Sequence, residues 1–154
     1  MSCLKEQFDE LRKIYPDEIK DAMVLPLLQM TLKAKGHLVE SDALYIADYL
    51  ELPAMQVKEA MTWYSMLYRT PVGKHVVKVC RSVACSLRGE QRIVAHISKK
   101  LGIKPGETTA DNKFTLLEVE CLASCGTAPM MQINDTYHED LTEAKIDQIL
   151  EALQ

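Results

Sequence analysis

Nothing in these 154 residues is long and apolar enough to lie across a bilayer. The longest apolar run, around Met23 to Leu28, is interrupted by Pro26 and falls well short of the roughly 20 residues a spanning helix needs, so direct membrane insertion is not expected. A basic field is lacking too. Net charge is −4 with a pI near 5.6, and no Lys/Arg cluster is interleaved with aromatics, so nucleic acid is not expected as a partner. The opening MSCLKEQFDE sets three acidic residues against one basic and has no apolar core. It reads as neither signal nor transit peptide, and the chain is expected to stay in the cytoplasm. C-x-x-C occurs nowhere, which argues against dithiol exchange of the thioredoxin sort. Internal repeats and low-complexity stretches are likewise missing.

What is present suffices for a folded core: 47% of the residues are hydrophobic, enough for one compact domain or two small ones. Residues 1 to about 70 carry helical spacing. Leu4, Phe8, Leu11 and Tyr15 line one face of a first helix that Pro16 stops. A second helix is expected from near Asp21 to Gly36, with Lys33 and Lys35 suited to its C-terminus. Ser41 is a candidate cap for a third, which Pro53 interrupts. A fourth, from about Ala54 to Leu67, would bury Met55, Val57, Met61, Trp63 and Tyr64. Thr70-Pro71-Val72-Gly73 then breaks the pattern. The boundary falls there, giving a small helical bundle at 1–72 and a second domain at 73–154.

The second domain reads β-α-β-β-β-α. His75 to Cys80 is β-branched and strand-like; Leu87 to Leu101 returns to helical spacing before Gly102. Phe114 to Glu120 alternates, and Met130 to Ile133 and Thr136 to Glu139 flank Asn134-Asp135, a pair suited to a tight hairpin. Thr142 can cap a last helix ending at Leu153. This order suits a thioredoxin-like α/β sheet covered by helices.

The cysteines carry the chemistry. Cys80 and Cys85 form C-x4-C, and after 35 residues Cys121 and Cys125 form C-x3-C. Each pair follows a predicted strand, and loops at the carboxyl ends of strands in an open α/β sheet converge on one point. Disulfides are not the expected use in a reducing compartment. Four soft thiolates suit a 2Fe-2S cluster, two per iron. A helix starting just after Cys85 would aim its positive end at the site, and Ser82, Ser86, Ser124 and loop amides could donate hydrogen bonds to sulfur, with Gly126 leaving room for the backbone to approach. Structural zinc on the same four thiols is the main alternative, giving an interaction module without redox chemistry; inert buried thiols are another. Cys3 has no neighbouring partner and reads as a bystander. His37, His75, His96 and His138 read as solvated surface histidines, and Trp63 with Tyr64 as core.

Three segments, PVGKHVVKVCRSVACSLRG at 71–89, LGIKPGETTADNKFTLLEVECLASC at 101–125 and GTAPMMQIND at 126–135, resemble the small 2Fe-2S subunit family of NADH:quinone oxidoreductase, respiratory complex I. LPAMQVKEAMTWYSMLYRTP at 52–71 resembles the family's region ahead of the first cysteine. The resemblance implies a thioredoxin-like ferredoxin domain behind a helical bundle, with one 2Fe-2S cluster on Cys80, Cys85, Cys121 and Cys125. It implies a peripheral position on the cytoplasmic side of the inner membrane, beside a partner subunit that binds NADH and FMN and near further iron-sulfur subunits. Related modules serve NAD-linked hydrogenases and formate dehydrogenases. The family commonly has Gly where this chain has Ala123, and Asp-Gly where it has Asp111-Asn112; Asn tolerates the left-handed conformation such a turn requires.

Overall fold

The computed structural model describes residues 2–153, and the chain divides into two compact units, Met1–Pro71 and Val72–Gln154. The first is helical. Helix α1 (Ser2–Arg12) is followed by a 3-10 segment, Asp17–Met23, and by α2 (Val24–Lys35), α3 (Glu40–Leu50) and α4 (Ala54–Trp63). Their apolar stripes meet in a core of Phe8, Met23, Leu27, Leu28, Leu38, Ile46, Leu50 and Val57, nearly all inaccessible. Burial of each such side chain contributes roughly 1.5–3 kcal/mol. Phe8 packs edge-on to Tyr49 with ring centres 5.5 Å apart.

Several expectations for this unit are corrected. The second helix begins at Val24, because Asp17–Met23 winds as a 3-10 segment kinked at Ile19; its end at Gly36, φ 81°, is as expected. The cap of α3 is not Ser41. Val39 takes the N-cap position and its N–H donates to the Asp42 carboxylate at 2.9 Å, while Lys35 pairs with the same carboxylate. Helix α4 stops at Trp63, and only Val57 and Met61 of the five expected residues are buried. Trp63 is 84% exposed, and Met55, Tyr64 and Met66 also face solvent. The side chain of Cys3 lies outside the described residues.

The second unit is a four-stranded sheet in the order β2-β1-β3-β4, formed by β1 (His75–Cys80), β2 (Phe114–Val119), β3 (Met131–Ile133) and β4 (Thr136–His138). Strands β1 and β2 are parallel, with Cys80 opposite Val119. Strand β3 runs antiparallel to β1, Met131 opposite Val79. The expected hairpin joins β3 to β4, with Asn134 at φ 52°. The single expected helix is two. Gly89, at φ 90°, separates α5 (Val83–Leu87) from α6 (Glu90–Leu101). Helix α6 and α7 (Glu143–Ala152, capped by Thr142) bury Ile93, Ile97, Ile146 and Leu150 with Val77, Leu116 and Ile133 of the sheet. This is the expected thioredoxin-like α/β arrangement. The turn at 111–112 also forms, Asn112 taking φ 55°.

Candidate metal centre

The strand register places the two cysteine pairs. Because β1 and β2 are parallel and β3 is antiparallel to β1, the carboxyl ends of the first two and the amino end of the third share one edge of the sheet. Cys80 is the last residue of β1 and Cys121 lies two residues beyond Val119. At that edge the Cys80 N–H donates to the Met130 carbonyl at 3.3 Å and the Arg81 N–H to the Val119 carbonyl at 2.9 Å. Backbone hydrogen bonds therefore tie the residues at the end of β1 to both neighbouring strands. Arg81 pairs with Glu120, joining the residue after Cys80 to the one before Cys121. Both side chains are well exposed, so the pair orients more than it stabilises.

Cys85 reaches the edge from inside α5, anchored by Arg88, whose Nε donates to the Ala128 carbonyl at 3.0 Å. Cys80 and Cys85 are buried in a small apolar cluster with Ala128 and Met130, whereas Cys121 and Cys125 are exposed. Burial pushes the Cys85 thiol up. Its hydrogen bond with Cys80 acts in the same direction, the Met130 N–H opposes it, and the Cys80 and Cys125 charges add a smaller upward push. Cys80 and Cys85 thus share one buried cluster, and Cys125 acts on Cys85 through charge alone. Cys121 is approached by the backbone, the Ala123 N–H pointing at its sulfur from 3.3 Å. To do so Ala123 adopts φ 59°, a left-handed conformation that costs a non-glycine residue about 1–2 kcal/mol.

All four cysteines are free thiols. Among the described residues no three or more His, Cys, Asp or Glu side chains surround a single ion position; a 2Fe-2S cluster instead asks for two protein thiolates per iron. The surroundings fit such a group. The donors are soft, the backbone N–H of Ala123 faces the Cys121 sulfur, and a methyl group added at Gly126 would meet nothing within 4 Å.

Three expectations about this site are corrected. No long helix starts at Cys85; the residue lies within the five-residue α5, and α6 starts at Glu90. Ser124 gives its hydroxyl to Glu139 rather than to sulfur, and among the described residues neither Ser82 nor Ser86 hydrogen-bonds to a cysteine. The histidines are half-buried rather than solvated. His75 packs against Phe114 with the rings tilted, and His96 lies 2.9 Å from Asp147. Glu90 and Glu139, both near this edge, were not singled out by sequence. Glu90 has only a charge at a helix start to mark it, and Glu139 lies 14 residues beyond the cysteine whose loop it holds.

A four-stranded thioredoxin-like sheet with two cysteine pairs on one edge defines a class of iron-sulfur protein. The family of thioredoxin-like [2Fe-2S] ferredoxins matches residues 8–154, and the chain belongs to it. The E subunit of NADH-quinone oxidoreductase from Rickettsia prowazekii (strain Madrid E) is 45% identical over 140 residues, which cover 90% of this chain and 79% of that protein. The protein of the same name from Rickettsia typhi (strain ATCC VR-144 / Wilmington) is 46% identical over 140 residues, 90% and 82% of the two chains. Among solved structures, a chain of the NAD+-reducing [NiFe]-hydrogenase in the air-oxidized state superposes with a TM-score of 0.73 at 22% identity. The match covers 86% of this chain and 23% of that one, a likeness of fold.

Proposed function

We propose that this chain is the one-electron carrier subunit of an NADH:quinone oxidoreductase, holding one 2Fe-2S cluster on Cys80, Cys85, Cys121 and Cys125. The observation that carries the reading is the shared edge. Each of two cysteine pairs distant in sequence has a member at or just past the end of β1 or β2, whose carboxyl ends adjoin, two thiols being buried and two exposed. When bound, the cluster supplies reversible one-electron transfer, with no bond made or broken in a substrate. The chain's own residues do the rest. Ala128 and Met130 keep water from Cys80 and Cys85, and the Ala123 N–H donates to the Cys121 sulfur, which favours the more negative, reduced state. The exposed Cys121 and Cys125 face outward, the side from which a redox partner must approach.

That partner is an NADH- and FMN-binding subunit, which performs the hydride chemistry and passes electrons singly; further iron-sulfur subunits complete the assembly. The identity to named E subunits over 90% of this chain supports this placing. Among the described residues no helix is long and apolar enough to cross a membrane, in keeping with a peripheral place on the cytoplasmic face of the inner membrane. Serine substitution tests the ligand set. Each of Cys80→Ser, Cys85→Ser, Cys121→Ser and Cys125→Ser should lower bound iron and sulfide or shift the visible spectrum, while Cys3→Ser matches the parent. Full retention of the parent spectrum and metal content by any of the four refutes that cysteine's assignment.

A further inference from the structure

The segment after β4 is laced to the loop that carries Cys125. The Asp140 N–H donates to the Thr127 carbonyl at 2.8 Å and the Leu141 N–H to the Pro129 carbonyl at 2.9 Å, Asp140 taking φ 45°. Lys145 Nζ holds the same segment through the Glu139 carbonyl at 2.6 Å. The Glu139 side chain reaches back along the seam. Its Oε1 accepts from Thr127 Oγ1 at 2.7 Å and from the Ser124 hydroxyl, and those two hydroxyl oxygens are 2.9 Å apart. Ser124 immediately precedes Cys125 and Thr127 follows it by two, so one carboxylate oxygen gathers the hydroxyls on both sides of the cysteine.

We infer that Glu139 is a positioning residue for Cys125: it fixes the path of the loop and engages two hydroxyl protons that would otherwise be free to turn to the sulfur. This rests on reading Cys125 as a cluster ligand. Hydrogen bonds to an ionised acceptor are the stronger kind, and the two hydroxyls hold the Glu139 carboxyl below its ordinary range, with a smaller effect from Lys145, so it is ionised at neutral pH. Hydrogen bonds to cluster sulfur and local charge both move the reduction potential. Weakening the hold on the hydroxyls, since a neutral amide oxygen accepts less strongly than a carboxylate, while removing a negative charge shifts it upward on both counts.

The test is a redox titration of the 154-residue chain with its cluster, followed by electron paramagnetic resonance, on the parent, Glu139→Gln, Glu139→Asp and Ser124→Ala/Thr127→Val with and without Glu139→Gln. Glu139→Gln should favour the reduced state about three- to tenfold, which is about 30–60 mV for a one-electron couple, and Glu139→Asp should return most of the shift. In the background lacking both hydroxyls the same Glu139→Gln change should lose at least half its effect. An unchanged potential in Glu139→Gln overturns the inference. So does an equal shift in both backgrounds, since the carboxylate would then act by charge alone.

Hydrogen exchange on the cluster-free chain reads the loop directly. Glu139→Gln should speed exchange at residues 124–127 and leave β1 and β2 unchanged; unaltered loop protection overturns the inference even if that variant takes up no cluster. A parent chain without iron and sulfide would refute the ligand reading, while the exchange experiment would still decide whether Glu139 holds the loop.

Discussion

Adding one methyl group at Gly73 should destabilise the sheet that presents the cysteines. A Cβ there would come 2.8 Å from the Phe114 carbonyl carbon and 2.9 Å from both the Lys113 carbonyl carbon and the Phe114 nitrogen. All three are backbone atoms at the start of β2 and cannot swing aside. Gly73 also donates its N–H to the Thr115 hydroxyl at 2.6 Å, and Thr115 is 2% exposed. Relieving the clash by backing residue 73 away weakens that hydrogen bond; relieving it by moving β2 disturbs the pairing of His75 with Phe114. Overpacking costs about 1–3 kcal/mol and the weakened buried hydrogen bond about 1 kcal/mol more. Gly73→Ala should therefore lose about 2–4 kcal/mol, a fall in Tm of more than about 10 °C for a unit of this size. Circular dichroism of the cluster-free chain is the suitable assay, since the single tryptophan, Trp63, reports on the other unit. Gly126→Ala is the control, because a methyl there meets nothing within 4 Å. A Tm for Gly73→Ala within about 2 °C of the parent, which is a change below about 0.5 kcal/mol, would refute the close approach.

Ala123→Gly should stabilise the cluster-free chain by about 0.5–1 kcal/mol, the left-handed strain relieved less the entropy glycine adds to the unfolded chain; a loss in urea unfolding contradicts this. Glu90 is 3% exposed and its Oε1 has no partner; burial, and then Glu118, raise its carboxyl above the ordinary 4.5. Its contribution to stability is complete below that ordinary value and is lost as pH rises through the raised one, so Glu90→Gln should flatten the decline of urea midpoints as pH rises from 4.5, and a parallel pH profile would count against it. Asp147 is shifted the other way, held low by Lys100 and then His96, and its contribution is lost as pH falls through the lowered value; Asp147→Asn should therefore reduce the acid sensitivity of Tm. Trp63→Ala should leave the Tm of the helical unit within about 2 °C, because an 84% exposed side chain contributes little to the core; a larger fall would contradict its solvent-facing position.

Sequence reasoning reached furthest where one period or one turn dominates. β-Branched residues located β1 and alternation β2, Asn134-Asp135 marked the hairpin, and the spacing of four cysteines located the shared edge once the strands were placed. It failed where competing local choices differ by little. The spacing of Leu87 to Leu101 is helical, but Gly89 supplies the left-handed residue that lets α5 end and α6 start in a new direction. Ser41 is a good capping type, but the N-cap position fell to Val39, whose N–H is taken up by the Asp42 carboxylate, and that carboxylate also meets Lys35, a tertiary partner. The exposure of Trp63 escaped a hydrophobicity argument because α4 ends there, leaving no further turn to bury it. The hold of Glu139 on the Cys125 loop depends on the segment after β4 returning beside residues 127–129, which no local pattern announces.

The most direct test is the iron, acid-labile sulfide and zinc content of the chain purified without oxygen, with an electron paramagnetic resonance spectrum after dithionite reduction. A 2Fe-2S carrier predicts two irons and two sulfides per chain, no stoichiometric zinc and a rhombic signal from the one-electron-reduced cluster. Stoichiometric zinc with no signal would contradict it and make the four cysteines a structural site.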